Sequence, residues 1–220
     1  MKWNSIETFF LDMDGTLLDL AYDNYFWHEH VPLIFSKKNN IPFNEAKILL
    51  KKMYAENKNS LNWYSSNYWS KRIEINLYLE IKKTRNKIKV FPGVKKLLSK
   101  IKAEGRVKII LLTNCPREML HIKLDQTKLW RYFDKIISSE DYGYPKESKK
   151  FWKILENKLK YNKNKTAFID DNVDVLKYAE SSGIKYLFSV SIPDSKKQKK
   201  IIKDYESLEN IGFFENKFID

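Results

Sequence analysis

The sequence predicts an α/β protein built on a doubly wound parallel sheet, with a second, all-helical part inserted near its start. Three observations carry this. Short apolar runs of strand length alternate with amphipathic helical patterns from about residue 90 onward, the order that builds a parallel sheet with helices on both faces. The runs end in hydroxyl, acidic or amide residues, and such sheets bind ligands at the carboxyl ends of their strands. Between about residues 21 and 89, in contrast, strand signals are few and aromatic residues many.

The first strand is the run Thr8-Phe9-Phe10-Leu11, which ends abruptly in Asp12-Met13-Asp14-Gly15-Thr16. In an extended chain Asp12 and Asp14 point to the same side, and Gly15 lets the backbone leave the strand without a Cβ penalty. Two carboxylates held so close repel, which calls for a cation or for a raised pKa on one of them.

The next stretch reads as helical. Tyr22, Tyr25, Phe26, Val31, Ile34 and Phe35 fall near helical spacing. Pro42 opens a helix with Ala46, Leu49, Leu50, Met53 and Tyr54 on one face. Two more helices are expected, one holding Leu61 through Trp69, the other Ile73, Leu77, Tyr78 and Ile81.

Phe91-Pro92-Gly93 breaks this pattern. Val94, Leu97, Leu98 and Ile101 then mark an amphipathic helix that ends at Gly105. The apolar run 107–112 is a buried strand ending in Thr113-Asn114, and a helix over Met119 to Lys128 follows it. Residues 135–139 form a short strand, and the turn-rich Tyr142-Gly143-Tyr144-Pro145-Lys146 leads into a helix carrying Phe151, Trp152, Ile154, Leu155 and Leu159. Residues 165–169 form the next strand, ending in Asp170-Asp171-Asn172, with a helix running to Gly183. A final strand is expected at 186–190. The basic stretch 196–203 is expected on the surface as helix or loop, with Phe213 and Phe214 docking the tail on the core.

Composition narrows the functional classes. A chain of 220 residues, 43% of them hydrophobic, can bury a core of one domain with an insertion. No apolar run approaches the roughly 18 residues needed to span a membrane, and residues 1–5 carry no apolar signal region. A soluble, cytoplasmic protein is therefore expected. The single cysteine, Cys115, excludes an internal disulfide. The net charge of +13 attracts anions in general, but no zinc-finger spacing or helix-turn-helix marks specific nucleic-acid binding. Cys115, His28, His30 and His121 are assigned no role.

On Asp12-Met13-Asp14-Gly15-Thr16 the chain resembles the haloacid dehalogenase (HAD) superfamily of phosphohydrolases, whose first motif is Asp-x-Asp-x-Thr. Thr113, Lys146 and the pair Asp170-Asp171 match the later motifs in order. The resemblance implies a Rossmann-like HAD core of residues 1–20 and 90–220, with residues 21–89 as a helical C1 cap over the phosphate site. It implies that Asp12 attacks phosphorus and forms an aspartyl phosphate. Asp14 serves as general acid and then base, which needs its side chain protonated for part of the cycle. Thr113 and the backbone amide of Asn114 hold the transferring oxygens, and Lys146 neutralises nucleophile and phosphate.

A dianionic phosphate among these carboxylates requires a divalent cation, and hard oxygen ligands favour magnesium. Asp12 and Asp171 would bind Mg2+ through carboxylate oxygens and, by family pattern, Asp14 through its backbone carbonyl. Asp170 binds either directly or at one remove. The dehalogenase branch is disfavoured, because its members lack the second aspartate that Asp14 provides.

The segments Asp23-Asn24-Tyr25-Phe26-Trp27, Leu61-Asn62-Trp63-Tyr64, Tyr68-Trp69-Ser70 and Gly143-Tyr144-Pro145-Lys146-Glu147 make the chain look like the bacterial HAD 5′-nucleotidases that act on GMP and IMP. A purine nucleoside 5′-monophosphate is then the expected small-molecule partner, with Tyr25 or Trp63 available to stack on the base. A sugar-phosphate phosphatase or phosphomutase of the same superfamily is the alternative. A non-catalytic basic binding protein is the remote one.

Overall fold

The computed structural model describes residues 5–58 and 60–212. Strand β1 (Thr8–Leu11) is buried along its whole length, as an apolar run in a sheet covered on both faces must be. Helices follow: α1 (Ala21–Tyr25), a π-helical turn at Phe26–His30, α2 (Val31–Asn39), α3 (Phe43–Glu56), α4 (Leu61–Tyr64), α5 (Ser66–Ile73), α6 (Leu77–Thr84) and a 3-10 turn at Arg85–Lys87. Then come α7 (Val94–Glu104), β2 (Lys108–Thr113), α8 (Arg117–Thr127), β3 (Lys135–Ser138), α9 (Lys149–Lys158), β4 (Thr166–Asp170), α10 (Val173–Ser181), β5 (Tyr186–Val190) and β6 (Glu206–Leu208).

The six strands form one sheet in the order β3-β2-β1-β4-β5-β6, and every neighbouring pair is parallel. Alternation along the strands splits the core in two. Phe9, Leu11, Ile109, Leu111, Ala167 and Ile169 pack with α7, α8 and the helices that follow β1. Phe10, Ile110, Leu112 and Phe168 point the other way, onto Phe151, Trp152 and Leu155 of α9 and Val175, Leu176 and Ala179 of α10. This is the expected doubly wound architecture.

The helical insertion leaves and rejoins the sheet at one place. Leu18 bridges Val90 in antiparallel fashion, Asp19 N–H donates to the Lys89 carbonyl at 2.9 Å, and Phe91 N–H donates to the Leu17 carbonyl at 3.0 Å.

Its details differ from the sequence expectation at several points. The first helix is interrupted by the π turn, in which Val31 N–H donates to the Phe26 carbonyl. The widened turn lies directly ahead of Pro32, whose missing N–H and bulky ring oppose a regular α-turn there. On α3 the buried stripe is Ala46, Leu50 and Tyr54, while Leu49 is exposed. The stretch expected as one helix over Leu61 to Trp69 is two, because the Ser65 hydroxyl accepts from Tyr68 N–H and starts α5 anew. Ile73 closes α5 and does not belong with Leu77: Glu74 adopts a left-handed conformation and Asn76 caps α6.

A sixth strand also exists beyond the one expected to be final. β6 pairs with β5 after the exposed 196–203 stretch. Its Glu-Ser-Leu triplet buries only Leu208, so it carries no apolar alternation. Phe213 and Phe214 lie outside the described residues.

Candidate active site

Parallel register brings the strand ends to one edge. Leu11 is level with Leu111 and Ile169, and Asp12 N–H continues the ladder onto the Ile169 carbonyl at 3.0 Å. Thr113 is level with Ser138, and Asp170 with Ser189. Asp12, Thr113, Lys146 and Asp170 are all buried at this edge.

Lys146 reaches in from the loop ahead of α9. Its ammonium donates to Asp12 Oδ1 at 2.5 Å, Asp170 Oδ2 at 2.6 Å and the Leu112 carbonyl at 3.2 Å. The loop is fixed from both sides, since Lys146 N–H donates to Asn114 Oδ1 at 2.9 Å and Trp152 Nε1 donates to the Lys146 carbonyl at 2.8 Å. The Asn114 side chain is thus engaged in holding the loop, and its Nδ2 donates to Glu147 at 2.8 Å. The Thr113 hydroxyl oxygen accepts from Cys115 N–H at 3.0 Å, which leaves its own proton free to donate.

Asp12, Asp170 and Asp171 each offer a carboxylate oxygen, all within 4.8 Å of one another. Gly15, at φ 87°, makes room for this group: a Cβ there would lie 2.6 Å from Asp171 Cγ. The Asp14 carboxylate is turned elsewhere, 2.7 Å from the Lys123 ammonium.

The edge lines a cavity of about 540 Å³, whose lining also includes Trp27, Tyr54, Trp63, Tyr64 and Met119. Trp63 lines it. Tyr25 does not border it; its ring packs on His30, with Lys87 over it, because the helix turns that side chain away. Lys200 does reach the rim, 3.6 Å from Asp171.

The model of the haloacid dehalogenase-like hydrolases matches residues 6–183. The chain belongs to that family. It is 34% identical over 208 residues to the GMP/IMP nucleotidase YrfG of Escherichia coli (strain K12), covering 94% of this chain and 93% of the relative. Among solved structures, a HAD phosphatase from Thermococcus onnurineus superposes with a TM-score of 0.80 at 18% identity, covering 97% of this chain and 98% of the other. The HAD-hydrolase YfnB of Bacillus subtilis, solved bound to magnesium, gives 0.71 at 18% identity with the same coverage.

In this HAD-like hydrolase negative charge outweighs positive in the buried site. Desolvation is the main cause that pushes Asp12 up to about 8, with Asp170 adding to it against the pull of Lys146. Burial pushes Asp171 up to about 7, helped by Asp12, and Asp170 to about 6 in spite of Lys146. Burial opposes the charge on Lys146, but Asp12 and Asp170 outweigh it and hold its pKa above the ordinary lysine range. Three hard oxygen donors with surplus charge fit a divalent cation.

Sequence reading passed over two residues that organise the site. Lys123 of α8 is 1% exposed and donates to Asp14 at 2.7 Å and Asp23 at 2.6 Å. A signal was present, because Lys123 falls at i+3 and i−4 from Leu120 and Thr127 on a buried face. Glu147 accepts from Tyr64 OH at 2.6 Å, Asn114 Nδ2 at 2.8 Å and Asn172 Nδ2 at 3.1 Å. No periodicity marks a loop glutamate.

Proposed function

We propose that this hydrolase is a magnesium-dependent phosphomonoesterase acting through an aspartyl phosphate on Asp12, and that its substrate is a purine nucleoside 5′-monophosphate, GMP or IMP. Residues 21–89 are the cap domain of this reading. The observation that carries it is the meeting of Asp12, Asp170, Asp171 and Lys146 in one cavity with indole and phenol rings. The carboxylates and Lys146 suit a phosphate with its cation, the rings a flat heterocycle. The 34% identity to a GMP/IMP nucleotidase over nearly the whole of both chains supports the same substrate.

Asp12, Asp171 and the Asp14 carbonyl would hold Mg2+, with Asp170 direct or at one remove. Bound there, the ion neutralises phosphate charge and lets an anionic carboxylate approach phosphorus. The Asp12 carboxylate attacks in line and the ester P–O bond breaks. Asp14 gives a proton to the leaving alkoxide, then takes one from the water that cleaves the acyl phosphate. The free Thr113 proton and the Asn114 backbone amide donate to phosphoryl oxygens, and Lys146 stabilises the charge that develops on them.

The test is release of inorganic phosphate with magnesium from GMP, IMP, AMP, pyrimidine nucleotides and sugar phosphates. Turnover concentrated on GMP and IMP and abolished in Asp12→Asn is the expected result. Turnover spread over sugar phosphates overturns the substrate. Transfer of phosphate back to the substrate, without its release, overturns the hydrolase reading.

A further inference from the structure

Lys123, Lys146 and Lys200 are the lysines that line the cavity, and a lysine ammonium has three protons to donate. Those of Lys146 go to Asp12, Asp170 and the Leu112 carbonyl, so it bonds a phosphoryl oxygen only by giving up a partner. Lys123 is buried between Asp14 and Asp23. Lys200 differs from both. Its Nζ lies 3.6 Å from Asp171 Oδ2, an ion pair too long for a hydrogen bond, and its side chain is 51% exposed.

That distance places the ammonium itself, and not only the residue, beside the cluster of Asp12, Asp170 and Asp171. Its charge is felt there. Burial and then Asp12 push the Asp171 carboxyl up, and of the lysines that pull it down Lys200 acts more strongly than Lys146. The backbone that carries the ammonium is held. Lys200 lies in the connection from β5 to β6, where its N–H donates to the Ser191 carbonyl at 2.8 Å. The same connection is pinned to the start of the insertion, with Asn24 Nδ2 donating to Asp194 at 2.6 Å and Ser195 N–H donating to Asp19 at 3.0 Å. A flexible stem on a fixed backbone lets the charge shift without moving the loop.

We propose that Lys200 is a substrate-binding residue: its ammonium exchanges Asp171 for a phosphoryl oxygen of the incoming ester. A divalent cation held by Asp171 repels the ammonium from that carboxylate, and a dianionic phosphate at Asp12 offers it a charge-assisted hydrogen bond in return. This rests on the phosphomonoesterase reading and adds to it a contact from the β5–β6 connection. The contact is to phosphate, so it serves every ester the site accepts, whatever the leaving group.

The test titrates inorganic phosphate and inosine, neither of which turns over, into the magnesium-loaded protein by calorimetry, for wild type, Lys200→Met and Lys200→Arg. Lys200→Met is expected to weaken phosphate binding about tenfold and to leave inosine binding and the melting temperature unchanged, and Lys200→Arg should recover most of the loss. KM should rise in Lys200→Met for IMP and ribose 5-phosphate alike, with kcat little changed, as for an interaction made equally in ground and transition states. Equal phosphate affinity in wild type and Lys200→Met overturns the assignment. So does a weaker magnesium affinity in Lys200→Met, measured by titration of the metal alone, because the loss would then act through Asp171. A wild type that binds no phosphate and releases none from any ester overturns the phosphomonoesterase reading and the Lys200 assignment with it.

Discussion

The ammonium of Lys123 lies 2.7 Å from the carboxylate of Asp14, joining α8 to the loop after β1 across 109 positions of sequence. The same nitrogen holds Asp23 of α1 at 2.6 Å. One buried cation therefore sets where the acid-base residue of the proposed mechanism points, and ties it to the first helix of the insertion.

Replacing it should cost both stability and rate. Lys123→Met leaves two carboxylates, each about a fifth exposed, without their cation. Breaking such a pair from one side costs about 3 kcal/mol. The melting temperature should fall, and kcat should fall with it as Asp14 loses its orientation. Asp23→Asn added to Lys123→Met should recover part of the stability, giving a coupling that a double-mutant cycle reads directly. Additive losses would show that Lys123 and Asp23 do not act as a pair.

Metal and pH should be linked. With no cation bound, burial pushes Asp12 up to about 8 and Asp171 up to about 7, against an ordinary value of 3.8. Between these limits the folded state binds more protons than the unfolded state, so these two groups make stability fall as pH rises from about 4 to about 8. Magnesium displaces the protons, so its binding strengthens with pH. The rise in melting temperature on adding magnesium over EDTA should be larger at pH 8 than at pH 6. An equal rise at both would contradict the linkage.

Gly15 offers a test of the carboxylate cluster that leaves every acid in place. Gly15→Ala sets a methyl group 2.6 Å from Asp171 Cγ and puts a non-glycine residue at φ 87°. The Asp171 carboxylate must shift from its place in the cluster. Weaker magnesium binding by titration, with a corresponding drop in turnover at fixed magnesium, is expected; unchanged magnesium affinity would separate Asp171 from the metal.

Strand positions could be read from sequence because β1, β2 and β4 are short apolar runs that end in polar residues. Parallel pairing then brings Asp12, Thr113 and Asp170 to one edge without further information. β6 could not be read that way, since Glu206 and Ser207 are exposed and the strand exists only through its pairing with β5. The helix breaks at Ser65 and Glu74 rest on cap geometry, which apolar periodicity does not register. Lys123 could have been found, as a charge inside an apolar stripe, but its partners lie a hundred residues away. Tyr25 and Trp27 are two positions apart and leave the helix on different sides, so only one of them, Trp27, meets the cavity.

Glu147 is the second long-range tie, and its removal should separate binding from folding. Its carboxylate takes hydrogen bonds from Tyr64 of α4, Asn114 at the end of β2 and Asn172 at the start of α10. Burial, then the charge of Glu147, pushes the Tyr64 phenol above its ordinary range, so the phenol stays the donor. Glu147→Ala strands all three donors at the cavity, where water re-solvates part of them, for a net cost of about 2 kcal/mol. Asn114 also fixes the Lys146 backbone, so kcat should drop alongside stability. Tyr64→Phe removes one bond on the insertion side and leaves Asn114 and Lys146 tied, so it should cost less stability and spare kcat. Melting curves and steady-state kinetics of the two variants decide the point. If Tyr64→Phe lowers kcat as far as Glu147→Ala does, the network works through the insertion and not through the Lys146 loop.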